Sequence, residues 1–252
     1  MAAASCRLEG WDLSNRVPLD NVEHQSLRVA NIPSSDHAKV NQALVVPGEF
    51  EDVQREYPIF IRKDQDGRFL TVALLGLEKG ENLFLDEGRW ISRYVPASHS
   101  RGPFYLGVRE TEELQTGREL AVHIDLDDAR VGTVEGEPLF REHGGNSAYL
   151  DHVTSRLHLI HEGLAVAPQM LAAFDELGLI QPIDAEVQLD DGTCYHLPSM
   201  LTIGMKQFQA LPSDALERLH RSGFLAPAVF IRSSLPNLNR LVELKKRKLG
   251  LA

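Results

Sequence analysis

The sequence predicts an α+β fold, with a β-rich N-terminal part over residues 25–130 and a mainly helical part over residues 131–252. Up to about residue 126, apolar residues alternate with polar ones or run in short blocks, as they do in strands. From residue 146 onward they recur every three to four positions, as they do in helices. Because the strands come first and the helices follow, the pattern favours α+β over alternating βαβ units.

The elements of the β-rich part follow from local signals. Residues 1–24 are polar and aperiodic, which predicts a loose arm. A hairpin is predicted around Asp66-Gly67, because this pair tolerates the positive φ angles of a tight turn. The remaining short elements are a helix at 49–56 and strands at 26–30, 41–46, 59–62, 69–77, 103–108 and 119–126.

The helical part shows clear start and stop signals. The spacing predicts a helix over 147–162 that ends at Gly163, and a second helix that begins at Pro168. Ser213 is predicted as the N-cap of a further helix. A hairpin is predicted over 183–203 and a last helix over 237–248. We expect the two parts to pack as one compact domain.

Composition restricts the class of protein. The 252 residues carry a net charge of −10, which argues against nucleic acid as a partner because phosphate backbones repel acidic surfaces. Two cysteines far apart in sequence do not make a disulfide scaffold. Since the N-terminus lacks the apolar core of a signal peptide and no segment has the ~20 apolar residues of a membrane span, we expect a cytoplasmic protein. Surface association would then require a non-classical export route.

A series of motifs carries a family resemblance. In order along about residues 25 to 245 they read LVVPGEF, REYPIFIRKD, ALLGLEKGENLF, RWISRYVPA, RGPF, VEGEPLF, the LDDG hairpin, HRSGFL and SSLPNLNRL. On these motifs the chain resembles the bacterial SapC family. The resemblance implies a link to the S-layer, the paracrystalline surface coat. It also implies partnership with TonB-dependent outer-membrane receptors, flavin-dependent tryptophan halogenases or cupin-like proteins, and it brings no established catalytic residues.

One set of residues is compatible with an iron centre. His123 and Asp125 are two residues apart on a predicted strand, so both side chains point to the same face, as two ligands of a facial iron triad do. His196 would be the third ligand, and Lys206 would bind the carboxylate of a 2-oxo acid. This layout resembles that of cupin-like oxygenases. The alternative is a half-buried strand whose His123 and Asp125 meet solvent.

Other residues permit a binding or a structural interpretation. Trp90 and Tyr94 lie near polar loops and are candidates to line a groove for a peptide or protein. His158 and His161 share a helix face. They either bind a metal ion together or are ordinary polar residues of the surface. Cys194 is predicted to be a buried structural thiol.

Two functional hypotheses follow. The first is a non-catalytic accessory protein of surface-layer or outer-membrane uptake systems, which binds a protein or peptide near Trp90 and Tyr94 and needs no cofactor. The second is an Fe(II)- and 2-oxo-acid-dependent oxygenase that uses His123, Asp125 and His196, with 2-oxoglutarate beside Lys206. The helical second half favours the accessory protein, because an oxygenase barrel needs more strands.

Overall fold

The chain forms two compact units. The computed structural model describes residues 15–30, 37–110, 118–183, 185–189 and 192–251. The smaller unit holds the described residues of Met1–Asn31 and Pro103–Asp151, and the larger unit holds those of Ile32–Gly102 and His152–Ala252. This division differs from the predicted boundary near residue 130, because hydrophobic periodicity does not report which distant segments pair.

The elements confirm the α+β class, since strands predominate early in the chain and helices later. The strands are β1 (Arg16–Pro18), β2 (Arg28–Val29), β3 (Gln42–Leu44), β4 (Ile59–Lys63), β5 (Phe69–Leu74), β6 (Leu85–Asp86), β7 (Arg89–Trp90), β8 (Phe104–Glu110), β9 (Arg118–Asp125), β10 (Val131–Gly132), β11 (Glu137–Pro138), β12 (Ile180–Pro182), β13 (Ala185–Gln188), β14 (Cys194–Leu197) and β15 (Leu201–Ile203). The helices are α1 (Phe50–Val53), α2 (Ala97–Ser100), α3 (Ala148–Glu176), α4 (Met205–Gln209), α5 (Ser213–Arg221), α6 (Leu225–Ser233) and α7 (Leu238–Leu249). No helix within the described residues is both long enough and apolar enough to cross a membrane.

The smaller unit contains two three-stranded antiparallel sheets. Their strand orders are β1-β9-β8 and β10-β2-β11. Phe104 and Ile124 face each other across the β8–β9 pair and are fully buried. β1 falls within the predicted arm, and its backbone pairing with β9 gives Arg16–Pro18 regular structure despite the polar composition. Residues 1–14 of that arm lie outside the described residues.

The larger unit is built on a five-stranded antiparallel sheet with the order β12-β15-β4-β5-β3. Ile59, Phe60 and Ile61 of the central strand β4 are fully buried. Since successive side chains of a strand point to opposite faces, both faces of β4 are covered. Helix α6 packs against β4 and β15, and the Ser234 hydroxyl at its end accepts the Ile59 N–H at 2.8 Å.

The second half differs from prediction in the first two helices and in the N-cap of α5. The two predicted helices are one, because α3 continues through Gly163 and Pro168 to Glu176. A Cβ atom added to Gly163 would lie 2.4 Å from Val46 Cβ, so this glycine permits close packing instead of ending a helix. Ser213 is the first residue of α5, whose N-cap is Pro212. In the predicted hairpin β13 pairs with β14, but the Asp190-Asp191 turn lies outside the described residues.

Gly163→Ala is expected to lower the free energy of unfolding by about 1–3 kcal/mol. Overpacking against Val46 outweighs the ~1 kcal/mol gain in helix propensity. Urea denaturation followed by circular dichroism measures the change. Gly132→Ala is the control, since a Cβ there meets nothing within 4 Å. A more stable Gly163→Ala protein would contradict the packing role.

Candidate functional site

The site is organised around Glu49, at the end of the 3-10 turn Pro47–Glu49. Val46 is extended and Pro47 fixes the start of the turn, so the Glu49 side chain folds back and its Oε1 accepts the Val46 N–H at 3.0 Å. Gly48 lies against α3, where an added Cβ would be 2.7 Å from Leu159 Cδ1. This packing holds Glu49 inside the protein, with 2% of its surface exposed.

Glu49 also fixes the loop that follows β7. Its Oε2 accepts the Tyr94 hydroxyl and the Ala97 N–H, both at 2.8 Å. Burial raises the pKa of the Glu49 carboxyl, and the donors Ala97, Tyr94 and Val46, together with the Arg156 charge, oppose that rise. The carboxylate thus connects the 3-10 turn to the start of α2.

A second carboxylate, Glu56, holds the same loop from the other side. Its Oε1 accepts the N–H groups of Arg93 at 2.8 Å and Tyr94 at 3.0 Å. Its Oε2 accepts Arg240 Nη1 at 2.9 Å, which ties α7 to the loop. The Tyr57 hydroxyl donates to the Tyr94 carbonyl at 2.7 Å and also contacts Ser92. The backbone around Tyr94 is therefore fixed at several points.

Tyr94 connects the buried acid to a cation. Arg156 Nη1, on α3, donates to the Tyr94 hydroxyl at 3.1 Å, and its guanidinium lies 5.2 Å from the ring centroid. Burial, and then the adjacent Glu49 charge, raise the pKa of Tyr94 well above its usual range. The hydroxyl therefore stays protonated at neutral pH, donates to Glu49 and accepts from Arg156.

Glu56, Tyr94 and Arg156 border a cavity of about 550 Å³, which we call the arginine cavity. Its lining contains four arginines, two carboxylates, one tyrosine and one isoleucine: Asp52, Arg55, Glu56, Ile91, Arg93, Tyr94, Arg156 and Arg240. Arg55 pairs with Asp52 and Glu51, and Arg240 pairs with Glu56.

Within the part of the chain that the structure describes, Arg93 and Arg156 have no carboxylate at ion-pair distance. The cavity therefore presents two guanidinium groups that lack a direct ion-pair partner among the described residues, on a protein whose net charge is −10. The apolar side chain of Ile91 is 42% exposed beside them. This arrangement suits an anionic ligand that also carries an apolar group.

The two predicted binding residues lie in different surroundings. Tyr94 lines the arginine cavity. Trp90, on β7, packs edge-on against His99 with 5.5 Å between ring centroids and belongs to the partly buried shell of the core.

The predicted iron ligands are divided between the two units. His123 and Asp125 lie on β9 in the smaller unit, whereas His196 lies on β14 in the larger one. The Asp125 carboxylate accepts the Asp127 N–H and lies 3.6 Å from Arg16 Nε, while His123 Nδ1 lies 3.2 Å from the Ala121 carbonyl. The iron interpretation stays a prediction.

The remaining predicted residues are exposed. Lys206 is on α4, and His158 and His161 are on α3. His158 and His161 are not part of the three-residue group of possible metal ligands found among the described residues. Cys194, which the sequence predicts to be buried, is a free and exposed thiol. Among the described residues its strand pairs with β13 in a two-stranded sheet, and the face of that hairpin which carries Cys194 is exposed to solvent.

Four residues of this site were not predicted from the sequence: Glu49, Glu56, Arg93 and Arg156. Two of these positions carry a signal in the sequence. Arg156 lies on the apolar face of its helix, three residues after Val153, and Glu49 interrupts an apolar block. A charge on an apolar face indicates a buried partner.

Comparison with known proteins agrees with the motif pattern. The sequence model of the SapC family matches residues 19–241, a stretch that includes every residue lining the arginine cavity. No curated protein and no solved structure matches the chain. The match spans most of the sequence, and the chain therefore belongs to the SapC family.

Proposed function

We propose that the protein is a non-catalytic accessory protein that binds a carboxylate-bearing peptide segment of a partner protein in the arginine cavity. The observation that carries this proposal is the pair of guanidinium groups, Arg93 and Arg156, that have no direct ion-pair partner among the described residues and lie beside the exposed Ile91. Arginine is the side chain best suited to bind carboxylates, because its planar group donates two parallel hydrogen bonds. A cavity of about 550 Å³ is of a size that accommodates one or two side chains.

The fixed backbone around the cavity supports binding over catalysis. Glu49 and Glu56 hold the Tyr94 loop through hydrogen bonds that use their carboxylate oxygens. A pre-formed surface binds a peptide with less loss of conformational entropy than a mobile one.

Family membership directs the search for the partner. The resemblance of the sequence to the SapC family suggests a role beside surface-layer or outer-membrane uptake systems. The proteins to test are a TonB-dependent receptor, a tryptophan halogenase and a cupin-like protein. Within them, segments with an Asp, a Glu or a terminal carboxylate next to an apolar residue match the cavity.

Fluorescein-labelled synthetic peptides that tile these three proteins test the proposal by fluorescence anisotropy. We expect binding at micromolar concentration by peptides with a carboxylate beside an apolar residue, and weaker binding when the carboxylate is amidated. Affinity should fall as salt is raised, since the arginines lie at the protein surface. If no peptide of this kind binds at micromolar concentration, the proposal is wrong.

Arg93→Gln is expected to weaken peptide binding by about tenfold or more, because a charge-assisted hydrogen bond contributes about 1.5–3 kcal/mol. Arg93 is exposed, so the folded state should be unaffected. Arg221→Gln is the matched control: this arginine on α5 is also exposed and does not line the cavity. Equal affinities for the two variants would contradict the assignment of the cavity.

A further inference from the structure

The hairpin β13–β14 presents a set of metal-ligating side chains on one face. In its register Glu186 faces His196 and Gln188 faces Cys194. Since side chains alternate along a strand, Val187 and Leu197 point inward and are buried, with Tyr195 packed against the same core. Glu186, Cys194 and His196 are consequently exposed on the other face.

The three side chains converge. One ligand atom of each, a carboxylate oxygen, a thiol sulfur and an imidazole nitrogen, lies within 4.8 Å of the other two. The closest contact joins His196 Nδ1 and Glu186 Oε1 at 3.1 Å. A tetrahedral metal with bonds of about 2.0–2.3 Å holds its ligand atoms about 3.3–3.8 Å apart. Small side-chain rotations therefore bring all three atoms to one metal ion.

We propose that Glu186, Cys194 and His196 form a binding site for a divalent transition metal, with Zn²⁺ as the best match. The mixed set of one thiolate, one imidazole and one carboxylate is typical of zinc, whereas Ca²⁺ and Mg²⁺ prefer oxygen ligands alone. Three protein ligands leave the fourth position open to water or to a side chain of another protein. Because the site is exposed, such a side chain can reach the metal.

The arrangement has a simpler reading, which is an ion pair between His196 and Glu186. Both side chains are more than three-fifths exposed, so such a pair adds little to stability. It also gives no role to the Cys194 thiol on the same face. Metal binding uses all three groups and requires the thiol to lose its proton.

Cobalt(II) titration of tag-free protein tests the site, because a thiolate bound to Co²⁺ gives a charge-transfer band in the near ultraviolet. The Cys6→Ser protein is used as the parent, since Cys6 and Cys194 are the two cysteines of the chain. We expect one Co²⁺ per chain, displacement by Zn²⁺ and release of a proton on binding. Wild-type protein, titrated in parallel, keeps the test valid if Cys6→Ser is poorly folded.

Variants distinguish the three-ligand site from binding by a single thiol. Cys194→Ser should abolish the band, and His196→Ala and Glu186→Gln should each weaken Co²⁺ binding at least tenfold. His220→Ala, which removes a histidine from α5, is the matched control and should bind as the parent does. The proposal is overturned if no band forms, if the band survives Cys194→Ser, or if it is unchanged in both His196→Ala and Glu186→Gln.

Discussion

Glu49→Ala is expected to lower the free energy of unfolding by about 3–5 kcal/mol. The change removes an acceptor from the buried N–H groups of Val46 and Ala97 and from the Tyr94 hydroxyl. Each buried donor left without a partner costs about 1–3 kcal/mol, and the alanine also leaves a cavity. Urea denaturation of the purified variant measures the loss.

The control and a second variant refine this expectation. Glu51→Ala removes an acid two residues away whose side chain is 66% exposed, and should change stability by no more than about 0.5 kcal/mol. Glu49→Gln should be intermediate, because its amide nitrogen cannot accept a hydrogen bond from a backbone N–H. A Glu49→Ala protein within about 1 kcal/mol of wild type would show that the loop does not depend on this acid.

Lys245→Met is expected to destabilise the larger unit by about 3 kcal/mol, as removal of one member of a buried ion pair does. The Lys245 side chain is 4% exposed, and its Nζ donates to Glu78 at 2.6 Å and to Glu81 at 2.7 Å. The variant leaves the Glu81 carboxylate buried, and the cation that still pairs with it among the described residues is Lys248, at 3.2 Å. Chemical denaturation at neutral pH checks this value, and Arg247→Ala, an exposed cation on the same helix, is the control.

The pH dependence gives an independent check on this ion pair. Burial alone would raise the pKa of Glu81, but the hydrogen bonds and charges of Lys245 and Lys248 bring it below its ordinary value of 4.5. A carboxyl whose pKa is lower when folded stabilises the protein above its unfolded pKa, and this contribution is lost as the pH falls through the folded value. Wild type should therefore lose stability more steeply than Lys245→Met below about pH 4.5. An equal loss of stability in the two proteins as the pH falls would contradict the role of the ion pair.

Much of the fold could be predicted from the sequence because its signals are local. The Asp66-Gly67 turn, the β8 and β9 strands and the final helix depend on residues that are neighbours in the chain. The continuity of α3 could not be predicted, because Gly163 is needed for close packing against Val46, which is far away in sequence. The division into two units likewise depends on distant segments, since the chain leaves the smaller unit near residue 31 and returns at residue 103.

The candidate site was harder to predict than the fold. Tyr94 was identified from its aromatic character near a loop, but its partners Glu49 and Arg156 come from other segments. The sequence grouped His196 with His123 and Asp125 as metal ligands. The hairpin places it beside Glu186 and Cys194, which come together through strand register. The residue types indicate which chemistry is possible, whereas the pairing of strands and distant segments determines which of these residues come together.

The hydrogen bond from the Ile59 N–H to the Ser234 hydroxyl has a consequence for the nascent chain. The two residues are 175 positions apart. At about 5–20 residues per second, a ribosome needs roughly 10–35 s to synthesise the intervening residues. Over that time β4, whose residues 59–61 are fully buried in the folded protein, has neither this partner nor the cover of α6. A chaperone that binds extended apolar segments is therefore expected to engage the chain at residues 59–61 during translation.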